Sequence, residues 1–217
     1  MQNNKIKQKT LVKLFPFINN KNKIDQLQID YDSLHYISIR EVAEAITSIL
    51  IIHIENIKLD NHDIVITDAT AGVGGNTISF SDKFNKVNSI EINKQRFSYL
   101  KNNINVYGFQ NIELYNDNCL NLLNKIYHDV VFIDPPWGGR KYKYKKKLLL
   151  NLSDTPLESI CNDLLNENIT KYPPKIILLK IPKNYNLRHF YNVVQSNKIY
   201  LYNLKKMYIV VIINIKI

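Results

Sequence analysis

Four acids, Asp68, Glu91, Asp117 and Asp134, each close a short apolar run in this 217-residue chain. Asp68 leads into Ala69-Thr70-Ala71-Gly72-Val73-Gly74-Gly75-Asn76, a loop in which Gly72 and Gly74 allow positive φ and close approach of a ligand to the backbone. Such a loop by itself is weak evidence, because tight strand-to-helix turns also use glycine. Glu91 stands 23 residues after Asp68, where an acid accepts hydrogen bonds from ribose hydroxyls. Asn116-Asp117-Asn118 closes a third run and can hold the amino group of an adenine; alone it would read as a polar turn. The sequence Asp134-Pro135-Pro136-Trp137 is the most specific of these features. Proline fixes φ and removes N–H donors, so this turn offers outward carbonyls beside the Asp134 carboxylate. Together they can accept from the exocyclic amine of a base, while Trp137 supplies a flat π-face for stacking. Asp134, Pro135 and Trp137 are therefore the catalytic candidates, against the plainer reading of a rigid loop anchored by a tryptophan.

These residues need a scaffold that brings strand ends together. Ser38-Ile39-Arg40-Glu41 has the form of a capping box with Ser38 as the cap, and Val42, Ile46, Ile49 and Leu50 follow at helical spacing, so a helix is expected over 39–53. Strands are expected over 63–68, 87–92, 111–115, 129–133 and 175–180, and helices over 77–84, 94–107, 157–168 and 186–196. Residues 198–204 and 207–215 read as a terminal antiparallel hairpin. The alternation predicts an α/β fold: a seven-stranded, mostly parallel sheet with that hairpin at its end and helices on both faces. Residues 1–33 have weak periodicity and are expected to be a basic arm or small accessory segment before a domain over 34–217.

The net charge of +10 is localised. Residues 1–24 hold six lysines and no acid, and residues 140–147 hold six basic residues and no acid, leaving 17 basic against 19 acidic residues elsewhere. A near-neutral body with two basic patches fits a polyanionic partner such as nucleic acid. The second patch, starting at Arg140 and Lys141, follows the Trp137 turn directly and is expected to bind substrate; the first has no motif to support a role. Two separated cysteines, Cys119 and Cys161, give no disulfide framework and suit a reducing compartment. The five histidines lack metal-ligand spacing, so no metal is expected. No apolar run reaches the roughly 20 residues of a membrane span, and no membrane partner is expected.

The order of acid, glycine loop, second acid, third acid and Asp-Pro-Pro-Trp is that of a Rossmann-like methyltransferase using S-adenosyl-L-methionine. More specifically, Asp68–Thr77 together with Asp134-Pro-Pro-Trp-Gly-Gly139 resembles the trimethylguanosine synthase family, the RNA cap guanine-N2 methyltransferases, over about residues 34–217. The resemblance implies a cofactor site formed by Asp68, Gly72, Gly74, Asn76, Glu91, Asp117 and Asn118, with Ser38 matching a family threonine near the cofactor. It implies that Trp137 stacks on 7-methylguanine, that Tyr142 lies near the cap phosphates, and that Lys183 and Asn184 serve the substrate as the family's Arg-Asn does. The partner would be capped RNA, the chain a monomer, and its setting the cytoplasm or nucleus, as for a protozoan protein or that of a large DNA virus in its host cell. Three departures stand out: Asp134 replaces a family serine, Arg140-Lys141 replaces Pro-Asp, and Lys183 replaces an arginine. Asp134 keeps two alternatives open. One is an amino-methyltransferase of another base, adenine N6 or guanine N2 in RNA or DNA; the other is a non-catalytic RNA-binding module on the same fold.

Overall fold

The apolar runs and amphipathic stretches fold in the expected order over residues 6–196 and 198–214, which the computed structural model describes. The elements are α1 (Gln8–Leu14), α2 (Lys21–Ile24), α3 (Ser33–Tyr36), α4 (Arg40–Asn56), β1 (Val65–Asp68), α5 (Gly75–Ser81), β2 (Lys86–Ile90), α6 (Lys94–Tyr107), β3 (Ile112–Tyr115) and β4 (Val130–Ile133). There follow β5 (Asn151–Leu152), β6 (Thr155–Pro156), α7 (Leu157–Leu165), β7 (Ile176–Pro182), α8 (Leu187–Val193), β8 (Ile199–Leu204) and β9 (Met207–Ile213). Seven of the strands form one mixed sheet in the order β3-β2-β1-β4-β7-β9-β8. The expected hairpin is β8–β9, and Ile215 lies outside the described residues. The chain divides into two compact units: one runs to Ile64 and over Ala71–Asp117, the other holds Val65–Thr70 and the chain from Asn118 on.

In the first unit, β2 and β3 pair in parallel from Val87↔Ile112 to Ile90↔Tyr115, which puts Glu91 and Asn116 just past their carboxyl ends. α6 is stopped by Gly108 in the left-handed conformation, φ 85°. Residues 8–36 contribute α1, α2 and α3, and Leu11, Leu14, Phe15, Ile24 and Leu27 pack with Val73, Ile78 and Val106. This segment is a packed layer over the glycine loop and α6. Asn103, fully buried, ties it down: its amide donates to Gln28 O (2.8 Å) and Val73 O (2.9 Å) and accepts from Gln28 N–H (2.7 Å).

The capping box is a correction. The N-cap of α4 is Ile39, with no side-chain cap, so Ser38 lies one residue too early to reach the first free N–H groups. Its hydroxyl instead accepts from Asn76 Nδ2 at 3.0 Å.

In the second unit, β1, β4 and β7 run parallel, with Asp68↔Phe132 and Ile133↔Leu179 in register. β4 and β7 are buried along their whole length, which is why they read as continuous apolar runs rather than alternating ones. β7 then pairs antiparallel with β9, and β9 with β8. α7 buries Leu157, Ile160, Cys161 and Leu164, one helical face.

Candidate active site

Within the first unit, Glu91 is nearly buried and organises the loop around it. Its Oε2 accepts from Gly72 N–H at 2.9 Å; its Oε1 accepts from Asn93 N–H at 2.8 Å and from Arg96 Nε at 3.4 Å. Asn116 Nδ2 donates to Glu91 O at 2.7 Å, so the ends of β2 and β3 are fastened together. Oε2 accepts a single protein hydrogen bond, which leaves it a further lone pair for a hydroxyl. Gly72 has φ 56° with open space where a Cβ would stand, and Gly74 has φ 102° with Leu100 Cδ1 at 2.9 Å from that point. Neither position accepts a side chain without strain, and Gly72 leaves its backbone open to approach. Asn76 Oδ1 is buried with no hydrogen-bond partner, an acceptor that a bound donor would satisfy. Ile92, next to Glu91, is 59% exposed although apolar, which suits the flat face of a purine. Asp117 sits half-buried two residues past β3. A carboxylate oxygen with acceptor capacity to spare, a bare glycine backbone, an orphaned amide oxygen and an exposed apolar face are together a donor and acceptor set that fits an adenosine cofactor.

The second unit holds the base-side candidates. Asp68, buried at the end of β1, accepts from Thr70 N–H at 3.3 Å, and Thr70 Oγ1 accepts from Asp134 N–H at 2.8 Å. Asp134 Oδ2 accepts from Lys180 Nζ at 2.6 Å, with side-chain exposures of 16% and 5% for the acid and the lysine. Burial pushes the Asp134 carboxyl upward, and the Lys180 ammonium pulls the other way. Lys180 Nζ also lies 5.5 Å from the Trp137 ring centroid, and Trp137 Nε1 donates to Lys180 O at 3.4 Å. Tyr142 meets the Trp137 ring edge-to-face, centroids 5.2 Å apart. Asn184 Nδ2 donates to Tyr142 O (2.7 Å) and Lys145 O (2.6 Å), so it fixes the path of the basic loop. Within that loop Lys141 is exposed, Tyr144 is 88% exposed, and the Arg140 side chain lies outside the described residues.

Several candidates thus fall into two clusters. Ser38, Gly72, Asn76 and Glu91 are joined by hydrogen bonds in one unit; Asp68, Asp134, Trp137, Tyr142 and Asn184 are linked, through Thr70 and Lys180, in the other. Pro135 is buried within the turn. Lys183 points elsewhere: its ammonium meets Asn203 and lies 4.2 Å from the Tyr208 ring centroid, both on the β8–β9 hairpin. Asn118 caps the short helical turn at Cys119 by accepting from Leu120 N–H at 3.1 Å, and donates to Ser153 at 3.3 Å. Sequence reasoning missed Lys180, Thr70 and Arg96. Lys180 had a readable signal, a lysine inside the otherwise apolar Ile176–Pro182.

Against known proteins, residues 63–214 match the model of a family described as RNA cap guanine-N2 methyltransferase. An uncharacterized protein of Acanthamoeba polyphaga mimivirus is 35% identical over 218 residues, covering 92% of this chain and 83% of that one. Trimethylguanosine synthase of Schizosaccharomyces pombe is 29% identical over 167 residues, covering 74% of this chain and 64% of that protein. Among solved structures, precorrin-6y C5,15-methyltransferase of Geobacter metallireducens aligns with TM-score 0.57 at 19% identity, covering 87% of this chain and 94% of that one. A putative methyltransferase of Streptococcus mutans in complex with SAH aligns with TM-score 0.52 at 13% identity, covering 86% and 99%. At those identities the structural likenesses speak for the fold.

Proposed function

The chain belongs to the RNA cap guanine-N2 methyltransferase family, and on that premise we propose that it transfers a methyl group from S-adenosyl-L-methionine to the exocyclic N2 amine of 7-methylguanosine in an RNA cap. The observation that carries this reading is the turn after β4, where one ammonium, Lys180 Nζ, lies 2.6 Å from the Asp134 carboxylate and 5.5 Å from the centroid of the Trp137 ring. A purine stacked on Trp137 would turn its exocyclic amine toward Asp134. The 7-methylguanine ring carries a positive charge, so stacking on Trp137 gains a cation–π contribution that guanine lacks, about 1–2 kcal/mol in a desolvated site.

The cofactor would be held by Glu91 on its ribose, by the Gly72 backbone and by Asn76 Oδ1, with Ile92 against the adenine and Asp117 at its edge. When bound, it supplies an electrophilic methyl group on a sulfonium. The remaining work is positioning: Asp134 Oδ1 has no protein partner among the described residues, so it is available to accept one N–H of the amine. Such orientation in an in-line displacement accounts for most of the acceleration. The amine becomes strongly acidic as it is methylated, so Asp134 or water suffices to take the proton. Tyr142 and the basic loop are suited to the phosphates that follow.

The test is methyl transfer from labelled cofactor to 7-methyl-GTP and to GTP. The proposal expects transfer to the first alone, with Trp137→Ala losing that selectivity while keeping cofactor binding; equal labelling of both nucleotides would defeat it. A second reading rests on Asp134, which also suits adenine N6. Nucleoside mass spectrometry after reaction with total RNA separates the two, since that reading requires N6-methyladenosine.

A further inference from the structure

Asp134 is the last residue one would leave as a lone buried charge, and its neighbour across the sheet is a lysine with almost no exposure. The β4–β7 ladder ends at Ile133↔Leu179, and Asp134 and Lys180 are the next residue along each chain. The ion pair is therefore built into strand pairing and does not depend on a flexible surface side chain. Lys180 meets the turn at three points: the Asp134 carboxylate through Nζ at 2.6 Å, the Trp137 ring at 5.5 Å, and the indole N–H, which donates to its backbone carbonyl at 3.4 Å. Among the described residues it is the charged group that acts on Asp134. A lysine buried in an apolar strand costs several kcal/mol of desolvation unless it is paired, so its presence at this one point on β7 asks for a reason.

We propose that Lys180 is a positioning residue for methyl transfer: it occupies Oδ2 of Asp134, so that Oδ1 alone faces the target amine, and it balances the acid's charge so that the pair adds no net charge beside a cationic base.

The three contacts support each part. Oδ2 is committed to Lys180, while Oδ1 carries no protein hydrogen bond, so the carboxylate is a single, oriented acceptor. An acceptor free to rotate would offer either oxygen and lose the directional hold on the amine. Burial opposes ionisation of Asp134, and a protonated acid would present an O–H donor in place of one of its acceptors; the adjacent ammonium counters that. The pair is neutral as a unit, so a positively charged base on Trp137 meets neither an uncompensated ammonium nor an uncompensated carboxylate.

This inference rests on the methyl-transfer reading above, and a double-mutant cycle separates the two. Wild type, Lys180→Met, Asp134→Asn and the double variant are assayed for kcat and KM with 7-methyl-GTP, and for cofactor Kd by calorimetry. Lys180→Met is expected to lower kcat about tenfold or more, with KM and cofactor Kd within about threefold of wild type. The double variant is expected within about threefold of Asp134→Asn alone, because Lys180 has nothing left to position. If Lys180→Met fails to fold, the comparison of Asp134→Asn with the double variant decides: a further tenfold loss on removing Lys180 overturns the proposal. Near-wild-type kcat in Lys180→Met also overturns it, as does a loss confined to KM. Absence of transfer by the wild-type protein defeats the underlying reading and takes this inference with it.

Discussion

Glu91 takes three donors on two oxygens, so it holds together the loop that borders the proposed cofactor site. Glu91→Gln keeps the length but converts one acceptor oxygen into an N–H₂ group that faces Gly72 N–H or Asn93 N–H. Hydrogen bonds to a charged group contribute about 1.5–3 kcal/mol, so cofactor Kd should rise about 10- to 100-fold. Calorimetric titration with the cofactor product measures it, and an unchanged Kd would remove Glu91 from the site. Trp137 offers a cleaner reading still, because it is the one tryptophan in the chain. Emission excited to the red of tyrosine absorption, which silences the 14 tyrosines, therefore reports this ring alone. Titration should quench it at roughly tenfold lower concentration with 7-methyl-GTP than with GTP, the ratio a cation–π gain of about 1–2 kcal/mol implies. Equal midpoints would mean that the ring does not distinguish the charged base.

At the scale of elements, Asn103 on α6 holds the packed layer of α1 to α3 by bonding both polar groups of the Gln28 backbone and the Val73 carbonyl. Asn103→Leu would strand these groups in a buried setting, at a cost of about 2–3 kcal/mol. Urea melts should show that loss, and amide exchange should show Gln28 deprotected; a wild-type midpoint would mean the layer is held by its apolar contacts alone. This layer was the part of the fold least legible in the sequence. Leu11, Leu14, Phe15, Ile24 and Leu27 are spread over α1, α2 and their connections, and no element there is long enough to show a 3.6-residue repeat. β4 and β7 were plain because strands buried on both faces are apolar almost throughout, Lys180 being the one break in β7. The same expectation hid Lys180, whose partner lies 46 residues away and is visible only through β4–β7 register. The β5–β6 pair is two residues a side and leaves no pattern at all. The Ser38 motif was visible but misread by one position, since Ile39 adopts the extended cap conformation. Glycines and acids at strand ends were the legible half of the site; the groups that hold them, Thr70, Lys180 and Arg96, come from elsewhere in the chain.

For the molecule as a whole, pH and salt act on different groups. His128 is buried beside Thr67, whose hydroxyl lies 3.2 Å from Nδ1, and burial pushes its imidazole down to about 4. The unfolded chain takes up that proton near pH 6.5, so between about 6.5 and 4 it holds more protons than the folded chain. The stability His128 contributes is present above about pH 6.5 and is lost as pH falls toward 4, up to about 3 kcal/mol. Urea melts across this range should lose that slope in His128→Asn. Salt addresses the other asymmetry. Lys141, Lys143, Lys145, Lys146 and Lys147 are all exposed, Tyr144 stands out among them, and the loop's path is fixed by Asn184 and by buried Leu148. A basic and aromatic loop directly after the Trp137 turn, its path held by Asn184, suits the phosphates and the first nucleotides beyond a cap, whereas a solvated loop would leave RNA affinity unchanged. Each phosphate neutralised on a single strand adds about 0.7 to the slope of log affinity against log salt. Replacing these five lysines by alanine should therefore flatten that slope by about 2 to 3 for a capped oligonucleotide, if three or four of them meet phosphate. The same variant should lose less affinity for 7-methyl-GTP than for the capped oligonucleotide, because the nucleotide offers only its own phosphates and Trp137 and Asp134 are untouched. Equal losses for the nucleotide and the oligonucleotide would mean that the loop serves the cap alone, and an unchanged slope would return the +10 of this chain to mere surface charge.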